Sequence, residues 1–429
     1  MRPTEGGGAA NIPDTNWAGN IRFTPAARRQ PTSLPELQRL VARAQRVRAL
    51  GTGHSFNAIA ATTGDLVSVA ALPHTIELDG DRRRVEVAGG VRYGELGRHL
   101  DRLGFALPNL ASLPHISVAG ACATGTHGSG VGNQILASSV RSITLATAMG
   151  DLFTLERGDV DFEGAVVALG RLGVVVSLVL DVIPSFDVAQ TVVEQVEQEA
   201  VAEGLVPILS AAYSVSVFTG WDEEQGSQVW VKERVDNRDS WHQSWEWGGR
   251  MAETELNPVP GMAPGNATPQ LGAAGPWNER LPHFRYEFAP SNGDELQSEY
   301  LVPIEHAAKA WTALSAMSHY LRPVVQISEV RAVAADTMWL SLTGGTASVA
   351  FHFTWVSDHA AVMPRIAAVE KCLENYGARP HWGKLFGTPA ATLARLYPRL
   401  GDFRRLVADL DPYGKFGNDL VDDWLGPAQ

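Results

Sequence analysis

The chain has 429 residues, 45% hydrophobic and 19% charged, which excludes a largely disordered protein and is too long for one hydrophobic core, so two domains are expected. Acidic residues outnumber basic ones by 47 to 35, for a net charge of −12, and the absence of any long Lys/Arg cluster excludes nucleic acid as a partner. The only two cysteines, Cys122 and Cys372, make neither a disulfide framework nor a metal-binding pair, and a reducing cytoplasm is the expected compartment.

The first fifteen residues, MRPTEGGGAANIPDT, carry no apolar stretch, and Arg28-Arg29 precedes none, so neither kind of export signal is expected. TSLPELQRLVARAQ (32–45) predicts a helix with Ser33 and Glu36 as a capping box and Leu37, Leu40, Val41 and Ala44 on one face. VRALG (47–51) and LVSVAAL (66–72) read as strands, Asp79-Gly80 as a hairpin turn, and YGELGRHLDRLG (93–104) as a helix ending at Gly104. ASLPHISVAGACATGTHGSGVGN (111–133) is small-sided and nearly uncharged, irregular enough to predict a segment lying against something else. VRSITLAT and LFTLE flank a Met149-Gly150 turn, FEGAVVALGRLG predicts a helix, and 174–183 predicts a strand buried on both faces, too short to cross a bilayer, so no membrane association is expected. Beyond Pro184 longer polar strands begin, with a loop at 255–282 rich in Pro, Gly, Asn and Trp. A helix near 305–320, strands at 324–334 and 348–355, a helix at 363–377 and short helical pieces from Leu393 to Asn418 complete the pattern. No coiled-coil seam or exposed apolar helix asks for a partner chain, so a monomer is expected.

RALGTGHSFN (48–57) ends a strand-like run in Gly51 and Gly53 and then places a histidine. Such glycines let backbone approach a ligand and leave N–H groups to hold phosphate. The third glycine of a Rossmann fingerprint is missing, and a tight turn with no ligand is the commoner fate of one such loop. A second glycine-rich, uncharged stretch at 111–133 favours a long cofactor whose pyrophosphate rests on backbone amides. His54 reads as a polar turn residue, as a nucleophile through neutral imidazole, or as a metal ligand; no HExxH motif or paired His/Cys spacing supports metal, and no metal is expected.

Alternate residues of a strand share a face, so Glu329 and Arg331 in SEVRA point the same way, as do His352 and Thr354 in AFHFTW, opposite Phe351, Phe353 and Trp355. Most such charged pairs are solvated surface pairs, but this one sits in an apolar run, where it is costly unless a polar ligand meets it. His352 reads equally as a satisfied core histidine, and Lys384 in HWGK as a lysine lying along apolar surface.

GTGHSFN, ASLPHISVAGACATGTHGSG and LGRLGVV together resemble the flavin-binding domain of the vanillyl-alcohol oxidase family, which includes the sugar-lactone oxidases. With NWAGN, SEVRAVAAD, AFHFTW, ARPHWGK and DPYGKFGN the resemblance covers nearly the whole chain from Asn16 and narrows to the alditol-oxidising branch of that family. It implies an α+β, two-domain fold: an FAD-binding domain of two α+β subdomains at 1–185, a substrate domain with an antiparallel sheet at 186–385, and a segment at 386–429 returning to the first. It implies FAD bonded covalently through a ring nitrogen of His54, with Ala49, Leu50, Gly51, Thr52, Gly53 and Ser55 along the pyrophosphate. Ser112, Ser117, Gly120, Thr124, Gly125, Thr126 and His127 join them, with Val175 on the adenine side and His381 near the flavin. It also implies that Ser112, Glu329, Arg331, His352, Thr354 and Lys384 contact substrate. Arg331 and Lys384 are then the catalytic cations for a developing alkoxide, and Glu329 grips neighbouring hydroxyls. The expected reaction oxidises the terminal alcohol of polyols such as xylitol and sorbitol to the aldose, with O₂ reduced to hydrogen peroxide. An aldonolactone oxidase or dehydrogenase of the same fold is the rival, and a sugar-binding protein without cofactor the more distant one.

Overall fold

The computed structural model describes residues 12–237, 246–288 and 294–426. Its first unit is built on two small sheets. Ala27–Arg29, Asp65–Val67 and Val47–Ala49 form a parallel sheet with Asp65–Val67 in the middle. Ile76–Asp79, Arg84–Ala88, Val174–Asp181, Val140–Ala146 and Leu152–Glu156 form an antiparallel sheet in that spatial order. The 174–181 strand is thus central and is paired on both sides, but only one of its faces is mostly buried, through Val174, Leu178 and Leu180. Its other face, at Val175, opens on the cavity described below.

The second unit is a nine-stranded sheet drawn from residues 187–380. Its middle runs Ser227–Arg234, Ser214–Thr219, Val325–Val333, Ser348–Val356, Glu295–Pro303, each antiparallel to the next. Period-two side chains give it two unlike faces. Val217, Val231, Val330, Phe351, Phe353 and Trp355 pack against helices Gln198–Leu209, Ala307–Ser315 and His359–Leu373. The opposite face carries Glu299, Glu329, Arg331, His352 and Thr354 toward the first unit. Burying charge there is tolerable only because the charges meet one another.

Several local expectations are corrected. Ser33 makes no side-chain cap on the helix Leu34–Arg43; Glu36 reaches instead to the Thr32 amide and hydroxyl, at 2.8 and 3.1 Å. Within 111–133 the run Val118–Ala123 is helical, alanine propensity prevailing over the glycine-rich surroundings. FEGAVVALGRLG holds a helix only over Phe162–Ala165, because Leu169 and Gly170 turn at φ of 54° and 69°. A helix over Gln198–Leu209 stands in the region expected to be strands and loop, burying Val201, Leu205, Ile208 and Leu209 at helical spacing.

The end of the chain, with helices Ala390–Leu396, Leu400–Leu410 and Asp419–Leu425, packs on the first unit. Arg171 meets Asp411 at 3.0 Å in a buried pair. The Asn418 amide donates to the carbonyls of Ala58, Ile59 and Ala61 at 3.0, 3.2 and 2.8 Å and caps the last helix by accepting from Val421 N–H. Replacing Asn418 with alanine should therefore lower unfolding stability by about 2 kcal/mol in urea denaturation, a lost cap plus uncompensated buried carbonyls; an unchanged midpoint would refute this anchoring role.

Candidate active site

Between the two units lies a cavity of about 1990 Å³, mouth included, that runs from the glycine loops to the polar sheet face. Its first half is made by GTGHSFN. Gly53 has φ +71°, and a Cβ on Gly51 would stand 2.5 Å from Ser117 Oγ, so the two loops approach each other as only glycine allows. NWAGN wraps this turn: Trp17 N–H donates to Gly53 O at 2.8 Å, Asn16 and Asn20 amides hold the Ser55 and Phe56 carbonyls, and the Trp17 ring stacks on His54 with centroids 5.6 Å apart. His54 Nδ1 lies 3.0 Å from Thr52 Oγ1. Burial, aided by His115 and Arg92, lowers its pKa to about 4, so at neutral pH the imidazole is uncharged and keeps a lone pair.

The asparagine that closes the motif has its own task. Asn57 donates to the carbonyls of Trp382 and Lys384 at 2.8 and 2.7 Å, and Phe56 N–H to Gly383 O at 2.8 Å. The histidine loop and the HWGK segment are thereby one rigid piece, which sets where Lys384 points.

Of the residues expected to hold cofactor, Ala49, Leu50, Gly51, Thr52, Gly53, His54, Ser55, Ser112, Ser117, Gly120, Thr124, Thr126, His127, Val175 and His381 line the cavity. Gly125 does not. It takes φ +69°, and a Cβ there would stand 3.4 Å from Leu342 Cγ and 3.7 Å from Val167 Cγ1, so it turns the chain between these side chains. The lining fits a dinucleotide: no hydrogen bond engages the amides of Gly51 to Ser55 among the described residues, and the buried Ser117 hydroxyl has no partner. Arg48 also lines the wall, but its guanidinium is spent on the carbonyls of Leu169, Gly170 and Phe416 at 2.8, 3.1 and 2.6 Å. Anionic phosphates would therefore meet neutral amides, as the uncharged loops suggested.

The other half is a charge cluster on the sheet face, and its centre is Glu299, a residue that no motif in the sequence marks. This carboxylate is 1% exposed. Oε2 accepts from Lys384 Nζ at 2.6 Å and Oε1 from Arg331 Nη2 at 2.8 Å, with His127 Nε2 3.4 Å away. Burial works to raise its pKa, yet Lys384, His127 and Arg331 hold it well below the usual carboxylate range. Lys384 also donates to His352 Nδ1 at 2.5 Å, and His352 Nε2 lies 3.1 Å from Thr354 Oγ1. Burial, then Lys384, lowers His352 to about 4 and keeps it neutral. Arg331 Nη1 donates to Ser112 Oγ at 3.1 Å, linking the units, and Glu329 accepts from His283 Nε2 at 2.9 Å.

All six expected substrate residues, Ser112, Glu329, Arg331, His352, Thr354 and Lys384, thus meet in one cavity, joined by Gln297 and Glu295. Glu295, Gln297 and Glu299 occupy alternate positions of one strand, with Gln297 opposite Thr354 and Glu299 opposite His352. The same two-residue spacing that singled out Glu329 and Arg331 was present in ELQSE. The 255–282 loop contributes Val259, and Phe284 follows just beyond it, so this region forms part of the cavity wall. His127, Glu299 and His381 bring ligand atoms within 4.8 Å of one another, and Lys384 and Arg331 pair with the same carboxylate.

Residues 25–156 match the family model described as an FAD binding domain, and 294–425 that of D-arabinono-1,4-lactone oxidase. The alditol oxidase of a Streptomyces species is 48% identical over 96% of this chain and 98% of its own length. The L-gulono-1,4-lactone dehydrogenase of Mycobacterium tuberculosis is 29% identical over 96% and 99%. Among solved structures, the cholesterol oxidase of B. sterolicum superposes with a TM-score of 0.75 at 14% identity, covering 96% of both chains, and a chitooligosaccharide oxidase with 0.73 at 13%, covering 94% and 93%. The fold is α+β and two-domain, of the vanillyl-alcohol oxidase type, and the sequence matches make the chain an FAD-binding oxidoreductase. Within that class the chain belongs to the alditol oxidase family.

Two outcomes follow. Glu299→Gln removes the counter-charge of two buried cations and should cost about 3–5 kcal/mol in chemical denaturation; a loss below about 1 kcal/mol would show that Arg331 and Lys384 find other partners. His54, His283 and His352 all sit near 4 when folded, against 6.5 unfolded. The unfolded chain then binds more protons between those values, so stability of the apoprotein should rise with pH from about 4 to 6.5 and level off above. A flat or falling melting curve across that window would contradict the burial assigned to these rings.

Proposed function

We propose that the chain oxidises the terminal primary alcohol of alditols such as xylitol and sorbitol to the aldose, with O₂ reduced to hydrogen peroxide and FAD covalently tethered through His54. The observation that carries this reading is the pairing of Arg331 and Lys384 on one buried carboxylate beside a row of hydroxyl-binding groups. Bound FAD would supply the two-electron acceptor for the substrate's hydride. The protein's part is orientation and charge.

Lys384 has three protons, of which one goes to Glu299 and one to His352, leaving the third for a substrate oxygen. A carbinol carbon gives up hydride to the flavin as its oxygen loses a proton to water at the open cavity, and Lys384 and Arg331 stabilise the alkoxide that develops. Because Glu299 takes most of their charge, the pair is less binding toward the resting alcohol than toward the alkoxide. Glu329, Thr354, Ser112 and Gln297 then offer polar atoms along the cavity to successive hydroxyls. A site built to bond several hydroxyls rejects analogues lacking them by large factors.

Peroxide release should be strong on xylitol or sorbitol and weak on gulonolactone and simple alcohols; the reverse order would make the chain an aldonolactone oxidase or dehydrogenase, as its more distant relatives are named. Lys384→Met should leave the protein yellow while slowing anaerobic flavin reduction by xylitol about 10²-fold or more, the usual cost of one such electrostatic contact; reduction at the original rate would remove Lys384 from the chemistry. Acid-precipitated protein should retain its yellow colour, and His54→Ala precipitate should lose it. Colour washed out of both would mean that FAD is bound without a covalent link.

A further inference from the structure

Behind Glu329, outside the cavity lining, stands a buried pair that the reaction described above does not use. His283 is 3% exposed and Lys232 1% exposed, and neither faces the cavity. Lys232 Nζ donates to Leu281 O at 2.5 Å, to Pro282 O at 3.3 Å and toward His283 Nδ1 at 3.4 Å. A lysine on Nδ1 makes that nitrogen an acceptor and places the ring proton on Nε2, which lies 2.9 Å from Glu329 Oε1 and 3.2 Å from Ser216 Oγ. The ring is held edge-on by Phe218 and Trp230, at 5.1 and 5.6 Å between centroids. The backbone on either side is pinned as well: His283 N–H and Phe284 N–H both point to Ser112 O, at 3.1 and 3.2 Å, and Thr268 N–H donates to His283 O at 2.9 Å.

We propose that Lys232 and His283 are positioning residues for the substrate-binding carboxylate of Glu329: Lys232 fixes the His283 tautomer, and His283 Nε2–H locks Glu329 so that Oε2 alone is left for polyol hydroxyls. This rests on the reading of Glu329 as a hydroxyl-binding group. Arg331 Nε lies 3.5 Å from the same Oε1, close enough for charge attraction but without a hydrogen bond. The arrangement resembles in logic a metal ligand held by its outer hydrogen bond, where loss of the outer partner is felt at the inner one. Because the 281–284 backbone also holds the Ser112 carbonyl, one segment sets two of the groups that meet the substrate.

The charged and titratable groups facing Glu329 are Arg331, His283, His352, Lys384 and, through His283, Lys232, which burial pushes down to about 7, so that the ammonium that fixes the tautomer is fully present only below neutral pH. Burial raises the Glu329 pKa, while Arg331 and then His283 outweigh it and keep the carboxylate ionised. Deleting the His283 donor removes one stabiliser of the charged form, so the carboxylate should protonate at higher pH.

The test compares His283→Leu, His283→Gln and Lys232→Met in the FAD-loaded protein. His283→Leu should raise KM for xylitol about tenfold or more, the size of one hydrogen bond to a charged group, with a smaller change in kcat, and should move the acid limb of kcat/KM to higher pH. Glutamine keeps a donor where Nε2 stood and should restore both. In ¹⁵N-histidine NMR of the wild type, the resonance missing from His283→Gln should be that of the Nε2–H tautomer, and Lys232→Met should lose that pattern. On a Glu329→Gln background His283→Leu should add nothing further to KM. If Glu329→Gln alone leaves KM for alditols unchanged, the role of Glu329 itself is wrong. If Glu329→Gln acts but His283→Leu leaves KM and the acid limb in place, or the NMR shows the Nδ1–H tautomer, only the positioning role is overturned. Should His283→Leu fail to fold, Lys232→Met and the NMR tautomer decide alone.

Discussion

The structure turns on a carboxylate that water does not reach. Glu299 holds Arg331 on one oxygen and Lys384 on the other, and these two cations arrive from different parts of the chain, one from the next strand but one of the sheet and one from the loop after the last strand. A buried ion pair contributes little net stability compared with apolar packing, since desolvation offsets most of the attraction. What it provides is placement. Two positive groups are fixed within reach of the same point, with no rearrangement needed when negative charge appears there.

Everything around the cluster helps to keep it rigid. The Asn57 amide ties the carbonyl of Lys384 to the histidine loop, Ser112 reaches Arg331 from the first unit, and the apolar back of the sheet is sealed by three helices and a stack of aromatic rings in which Phe353 and Trp355 lie 5.1 Å apart. The cofactor side and the substrate side are therefore not independent modules. A shift of the GTGHSFN turn would move the lysine that serves the alcohol.

Much of this was legible in the sequence. Glycines at 51 and 53, the small-sided run at 111–133 and the alternation in SEVRA and AFHFTW each led to residues that line the cavity, because glycine spacing and period-two patterning are local consequences of backbone geometry. Glu299 stayed hidden for the opposite reason. ELQSEYLVP shows polar alternation, but nothing local says that its polar face turns inward; that depends on Lys384, eighty-five residues away, and on Arg331, thirty-two away. His283 lies in a proline-rich stretch without periodicity, and its neighbours Lys232 and Glu329 come from two separate strands. Gly125 lies outside the lining, where its positive φ serves a turn.

The most direct measurement is an anaerobic titration of the purified protein with xylitol, followed at the flavin absorption band. The expected result is a yellow protein whose band bleaches with a stoichiometric, saturable dependence on xylitol and is unmoved by the same concentration of gulonolactone. A colourless protein, or a yellow one that only the lactone bleaches, would contradict it.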